Sequence, residues 1–273
     1  METKLNYTSD GFIIISPDDN PHKIVDAMLK THYPEEFCLS AALTPDFAAR
    51  LMEAGFIVMT CWEEYDDDVY LLVLPKHHLQ RTVLRFDDLH IEKSARRFLR
   101  RYELRVNTDF GEIIEKCVAA HGAGWLTPPL VRVIKKIREE NYEKVKPVSF
   151  GVYRDGQLKA GEFGIAAGKV FTSYSGYHEE NNAGKIQMIL TAQYLAHNGF
   201  AFWDLGMPID YKFNFGAKNV PIKQFVKIFR KASGYSQNLP RRLLRAAVCT
   251  ASRIIRRKHG LLSVFLGGGR ENT

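Results

Sequence analysis

Cysteine is scarce: Cys38, Cys61, Cys117 and Cys249 are the four in 273 residues, widely separated and never arranged as Cys-x-x-Cys. That spacing argues against a disulfide framework and supplies no thiolate set for zinc, so reduced and mostly buried thiols are expected. Long apolar runs are missing too. No window approaches the roughly 18 to 20 consecutive apolar residues of a membrane span, and no basic segment followed by an apolar stretch opens the chain. A cytoplasmic location is therefore expected. Internal repeats and low-complexity segments are absent, and only the stretch near Ser233 to Asn238 reads as a linker. Excess charge is also absent from most of the chain. The net +7 is carried by residues 236–273, which hold eight Lys/Arg and one acid, while residues 1–235 hold 30 basic and 30 acidic groups. Any polyanion binding by the body must come from local clustering.

What is present is enough apolar and aromatic sequence for one sizeable core plus a small satellite. The first 89 residues read as a small α+β domain. Phe12 to Ile15 is a short strand, and Thr44-Pro45-Asp46 ahead of Phe47, Leu51 and Gly55 is a capped helix. Gly55 to Thr60 and Val69 to Leu74 are strands flanking an acidic loop, Glu63 to Asp68, and Leu79 to Phe86 leads to the next element. From His90 the pattern changes. Ile91, Ala95, Phe98 and Tyr102 recur at helical spacing, with Lys93, Arg96, Arg97, Arg100 and Arg101 on the remaining positions. Helices over Phe110 to Ala119 and Pro129 to Glu140 follow, joined by the loop His121 to Thr127. A hairpin turns at Arg154 to Gln157; then come a strand at Lys169 to Tyr174, a helix at Ala183 to His197 and a strand at Phe200 to Leu205. This order predicts an α+β fold: residues 90–235 form an acyltransferase domain with a mixed sheet of the general N-acetyltransferase type. Residues 236–273 form a basic amphipathic tail, read as helical between Pro240 and Leu266 and suited to a nucleic acid, an anionic surface or a partner.

Several separate motifs from His90 to Phe229 share order and spacing. Leu89-His90-Ile91 precedes Ser94-Ala95-Arg96-Arg97-Phe98; then come Asn107, Phe110, Ile114 and Cys117, Trp125-Leu126-Thr127, and Gly164 with Gly168. Asn182-Ala183 with Lys185, Asp204, and Gly216-Ala217 with Pro221 complete the series. Together, over about half of the chain, they resemble the leucyl/phenylalanyl-tRNA–protein transferase family. The resemblance implies transfer of Leu, Phe or Met from an aminoacyl-tRNA to an acceptor protein with N-terminal Arg or Lys, marking it for N-end-rule degradation. It implies no metal and no organic cofactor. Departures are equally specific. The family's Asp-x-Gln is here Asp204-Leu205-Gly206, its Gly-Glu-Ser is Ser173-Tyr174-Ser175, its tandem Trp is Val73-Leu74, and the Arg after its late Pro is Ile222.

The implied reaction is attack of an unprotonated amine on an ester, for which positioning and general-base help suffice. Asp204, after Phe202 and Trp203 at the end of a buried strand, is the candidate to orient or deprotonate the amine; a sheet-end cap is its plainer reading. Trp125, Phe163, Tyr174, Ser175 and Tyr177 are candidates for the aminoacyl pocket, although Trp125, Phe163 and Phe171 read equally well as core. Arg96, Arg97, Arg100 and Arg101 form two like-charged i,i+4 pairs, which cost helix stability and so point to phosphate contacts. Lys185, in the first turn of its helix, is a further tRNA candidate. Two other readings remain open: an acyltransferase of the same fold with a changed donor or acceptor, and a noncatalytic tRNA-binding protein.

Overall fold

Local signals set most element boundaries in the computed structural model, which describes residues 5–234 and 247–250. Strands β1 (Asn6–Tyr7) and β2 (Ile13–Ile14) pair antiparallel. Helix α1 (Pro21–Thr31) starts where the Asn20 side chain accepts from the His22 and Lys23 amides, and α2 (Pro45–Glu53) where Thr44 accepts from Phe47. Such caps contribute about 1 kcal/mol each. Strands β3 (Ile57–Tyr65) and β4 (Asp68–Lys76) form a hairpin, longer than the sequence suggests. Its turn is Asp66-Asp67 alone, both at positive φ, the conformation that two-residue hairpin turns require. The acidic stretch is thus mostly paired strand, not an open loop.

Strand β5 (Gln80–Leu84) leads into a segment that departs from the expected long helix. Only α3 (Lys93–Arg96) is α-helical, and a 3-10 turn covers Leu99–Arg101. Ala95, Leu99 and Tyr102 are buried without a continuous helix, so the adjacent cations need not stack on helical turns. Strand β6 (Glu103–Val106), α4 (Phe110–His121) and α5 (Pro128–Glu139) follow. Next are β7 (Val145–Arg154), β8 (Gln157–Ala167), β9 (Val170–His178), α6 (Ala183–His197) and β10 (Phe202–Asp204). Helix α7 (Asp210–Phe213), β11 (Lys218–Pro221), α8 (Ile222–Ser233) and β12 (Ala247–Thr250) end the described chain.

Among the described residues the large sheet runs β11-β5-β10-β9-β8-β7-β6-β12. All neighbours are antiparallel except β9 and β10, which α6 connects as a crossover. Side-chain alternation divides the core between the two sheet faces. Phe150, Ala166, Phe171 and Trp203 pack with α6, while Phe163, Ile165, Val170 and Phe202 pack with residues of α2, α4, α5 and α8. A small N-terminal subdomain followed by a larger mixed sheet flanked by helices is an acyltransferase-like fold, as the element order predicts. Four residues of the basic tail, Ala247–Thr250, are a strand against β6 and so not helix; the rest of that tail lies outside the described residues. Cys38 and Cys117 are buried and Cys61 half-buried, all as free thiols. No helix among the described residues is long and apolar enough to cross a membrane.

Candidate active site

The parallel pair β9–β10 is short. Its last register pair is Thr172–Asp204, after which β10 ends and β9 continues to His178 against β8 alone. A fork therefore opens at Ser173. The ladder between β8 and β9 also shifts there: Gly164 faces Ser173 and Phe163 faces Ser175, so Tyr174 is the extra residue of a bulge. A side chain at 164 would press within 2.2 Å of the Thr172 carbonyl oxygen, which only glycine avoids.

On the face toward α4, the bulge sends Tyr174 against two other rings. Its centroid lies 6.4 Å from that of Trp125 and 6.1 Å from that of Phe163. The Tyr174 hydroxyl accepts from the Val58 amide at 3.0 Å, and burial raises its pKa. Trp125 is fixed by its carbonyl, which accepts from the Thr60 amide, and by a 2.8 Å contact between the Thr60 and Thr127 hydroxyls. The structure thus brings Trp125, Phe163 and Tyr174 together. Ser175 lies beside the Cys117 thiol, whose pKa burial pushes up to about 12 against the opposing influence of that hydroxyl. Tyr177 lies farther along β9, its ring 5.8 Å from the Lys116 ammonium.

Asp204 and its partner Arg81 are both fully buried. The carboxylate accepts from Arg81 Nε at 3.1 Å and from Arg81 Nη2, from Thr172 Oγ1 at 2.9 Å and from the Gly206 amide at 3.0 Å. Those four donors fill the roughly four acceptor positions of a carboxylate. Arg81 also donates to the Gly55 carbonyl and lies 4.4 Å from the Phe225 ring centroid. Gly206 has φ of +73°, and a Cβ there would meet only Ile57 Cδ1, at 3.4 Å. Its left-handed backbone, not a clash at Cβ, is what favours glycine.

The α6 face of the fork holds a second polar cluster. Buried Glu162 accepts from the Ser173 hydroxyl and from Gln187 Nε2 at 2.7 Å, while Trp203 Nε1 donates to Ser173 Oγ at 2.7 Å. Lys212 donates to the carbonyls of Leu205 and Met207 at 2.6 and 2.9 Å, holding the chain just after β10. Burial raises the Glu162 pKa to about 7, with the Ser173 and Gln187 hydrogen bonds opposing it, and lowers that of Lys212 to about 8. Sequence reasoning missed Arg81, Glu162, Gln187 and Lys212. Only Glu162 left a local signal, an acid within a stretch otherwise apolar from Ala160 to Ala167.

Arg96, Arg97, Arg100 and Arg101 are all exposed, and none has a carboxylate partner among the described residues. The Arg97 and Arg101 guanidinium carbons lie 4.8 and 5.5 Å from the Phe98 ring centroid. Lys185 instead pairs with Glu92 at 2.9 Å. That pair lines a cleft with His90, Ile189, Tyr211, Asn214 and Phe215, between the cationic segment and α7.

A forked mixed sheet with polar clusters on both faces is the framework of an acyltransferase-like protein. The sequence narrows this class, since residues 83–230, more than half of the chain, match the family model described as leucyl/phenylalanyl-tRNA protein transferase. The chain belongs to that family. It is 30% identical over 152 residues to the leucyl/phenylalanyl-tRNA–protein transferase of Stutzerimonas stutzeri, a match covering 54% of this chain and 66% of that protein. With the transferase of Salinibacter ruber it shares 29% identity over 187 residues, 67% of this chain and 77% of the other. The chain spans about two thirds of the length of such curated relatives. Among solved structures it is similar to FemX, at 12% identity and a TM-score of 0.44 over 80% of each chain, a likeness that carries no functional argument.

Proposed function

We propose that this protein transfers Leu, Phe or Met from an aminoacyl-tRNA to the N-terminus of an acceptor protein beginning with Arg or Lys, marking the acceptor for degradation. The observation that carries this reading is the β9–β10 fork within the family-matched region. It has an aromatic wall of Trp125 and Tyr174, backed by the fully buried Phe163, on one face and hydrogen-bonding groups on the other. An ester is already activated toward amines, so holding the two reactants at such a fork supplies much of the acceleration.

In this reading the aminoacyl side chain packs against the aromatic wall, with Ser175 and Tyr177 farther along β9. Arg96, Arg97, Arg100 and Arg101 hold tRNA phosphates, and the Glu92–Lys185 cleft receives the acceptor end. Asp204 acts by orientation: its four acceptor positions are occupied, so it fixes Arg81 and the Gly206 amide at the fork rather than taking a proton. No metal or organic cofactor enters the reaction. The protein works in the cytoplasm, and its basic tail contacts an anionic surface. The test is incubation with charged tRNA and a peptide beginning with Lys. The peptide gains the mass of one Leu, Met or Phe residue. Tight tRNA binding without any gain would leave a noncatalytic binder, and transfer from a donor other than tRNA would leave a different acyltransferase.

A further inference from the structure

Attack on an ester requires a neutral amine, and an α-amino group with a pKa near 8 is mostly protonated at neutral pH. A group at the fork that takes that proton makes the bound ammonium a nucleophile. Asp204 is saturated by protein donors, and Lys212 faces the two backbone carbonyls beside β10. Glu162 differs from both. Its hydrogen-bond donors are a hydroxyl and an amide, with no cation among them. A carboxyl group buried this way holds its place in either protonation state, because as an acid it donates back to the same serine oxygen. Burial brings its pKa to about 7, where it exchanges a proton at physiological pH.

Ser173 connects this carboxyl to the fork. It is the first residue of β9 past the last β10 pair and is partly exposed. Its oxygen accepts from Trp203 and donates to Glu162, which leaves one lone pair free. We propose that Ser173 accepts the proton of the attacking ammonium while passing its own to Glu162, so that Glu162 acts through Ser173 as the proton acceptor of the transfer reaction. This rests on the aminoacyl-transfer reading above.

The step balances without another reactant. The ammonium N–H electron pair stays on nitrogen as the proton goes to the serine oxygen and the serine proton to Glu162. Nitrogen then forms the C–N bond to the ester carbonyl carbon. The C–O bond to the ribose breaks, and the ribose oxygen leaves with the electron pair and takes the second amine proton. Glu162 finally releases its proton to solvent. The titratable groups around it are Lys212 and Tyr211 from α7 and Cys117 from α4. Its strand neighbours are uncharged, Phe150 on β7 and Gly176 on β9, and α6 presents Gln187 and Thr191. Burial keeps Cys117 and Tyr211 neutral through the working range, so Lys212 is the neighbour whose charge changes nearest to it.

The experiment uses the full chain, with Leu-tRNA as donor and a saturating peptide beginning with Lys, across pH 5.5 to 8.5. Wild-type kcat falls on the acid side with a midpoint near 7. Glu162→Gln lowers kcat roughly 10²-fold or more and abolishes that midpoint, with KM for Leu-tRNA unchanged, a split that mere structural support would not produce. Ser173→Ala, which leaves the buried carboxyl in place, gives a comparable loss and covers a failure of the first variant to fold. Either folded variant with wild-type kcat and an unchanged pH profile overturns the proposal while aminoacyl transfer stands. A wild type without transfer at any pH overturns both.

Discussion

Removing one member of the Arg81–Asp204 pair should cost far more stability than removing both. Asp204→Ala deletes a carboxylate that meets Arg81 twice, Thr172 once and the Gly206 amide once. What remains is a fully buried guanidinium with the Gly55 carbonyl and the face of Phe225. Breaking a buried pair from one side costs about 3–5 kcal/mol, because the surviving charge is uncompensated. For a domain of this size that is roughly 6–20 °C in Tm. Arg81→Met should cost a similar amount by stranding the carboxylate. The double variant Arg81→Met with Asp204→Leu removes both charges and should lose less than the sum by at least about 2 kcal/mol. Urea unfolding followed by tryptophan fluorescence and circular dichroism measures all three. An Asp204→Ala cost below about 1 kcal/mol, or strict additivity, would show that the pair is not a coupled buried unit.

Changing Arg96, Arg97, Arg100 and Arg101 to Ala should weaken tRNA binding and flatten its salt dependence by roughly 0.7–0.9 in the log–log slope per lost phosphate contact, with the fold intact; an unchanged slope removes the assignment. Glu162→Gln should alter stability in a pH-dependent way. The raised folded pKa means wild-type stability from this group is full below the ordinary value of 4.5 and is lost as pH rises through about 7. The neutral variant should match wild type near pH 4.5 and exceed it above pH 7, by up to about 3 kcal/mol. Equal stability curves from pH 5 to 8 would contradict the burial argument. Gly206→Ala should fold at a cost of about 1 kcal/mol, since its backbone is left-handed while an added Cβ meets nothing closer than Ile57 Cδ1 at 3.4 Å; unfolding at room temperature would refute that reading of the site.

Elements governed by neighbouring residues are legible in the sequence. The Asp155-Gly156 turn announces the β7–β8 hairpin, Thr44-Pro45 the start of α2, and Asn198-Gly199 the end of α6. Long-range pairing leaves no such mark. Gln80–Leu84 joins the sheet through residues 203–204 and 218–221, and nothing local says so. The amphipathic spacing from Ile91 to Tyr102 misleads because burial of Ala95, Leu99 and Tyr102 is achieved by a short helix and a 3-10 turn. At the site the same division holds. Trp125, Phe163 and Tyr174 can be gathered from strand and loop positions, whereas the buried partner of Asp204 lies 123 positions away on β5. The sequence departures at Tyr174 and Gly206 also gain a physical content. One is the bulge residue whose hydroxyl ties β9 to β3, and the other is a left-handed residue whose amide Asp204 holds.

Aminoacyl transfer itself is tested most directly by the product. The full chain is incubated with tRNA charged with Leu, Met or Phe and with two peptides, one beginning with a free Lys and one acetylated at that position. Mass spectrometry should find the free peptide heavier by one aminoacyl residue, joined at its N-terminus, and the acetylated peptide unchanged. Unmodified free peptide with all three donors, at protein concentrations that saturate the tRNA, would contradict the account.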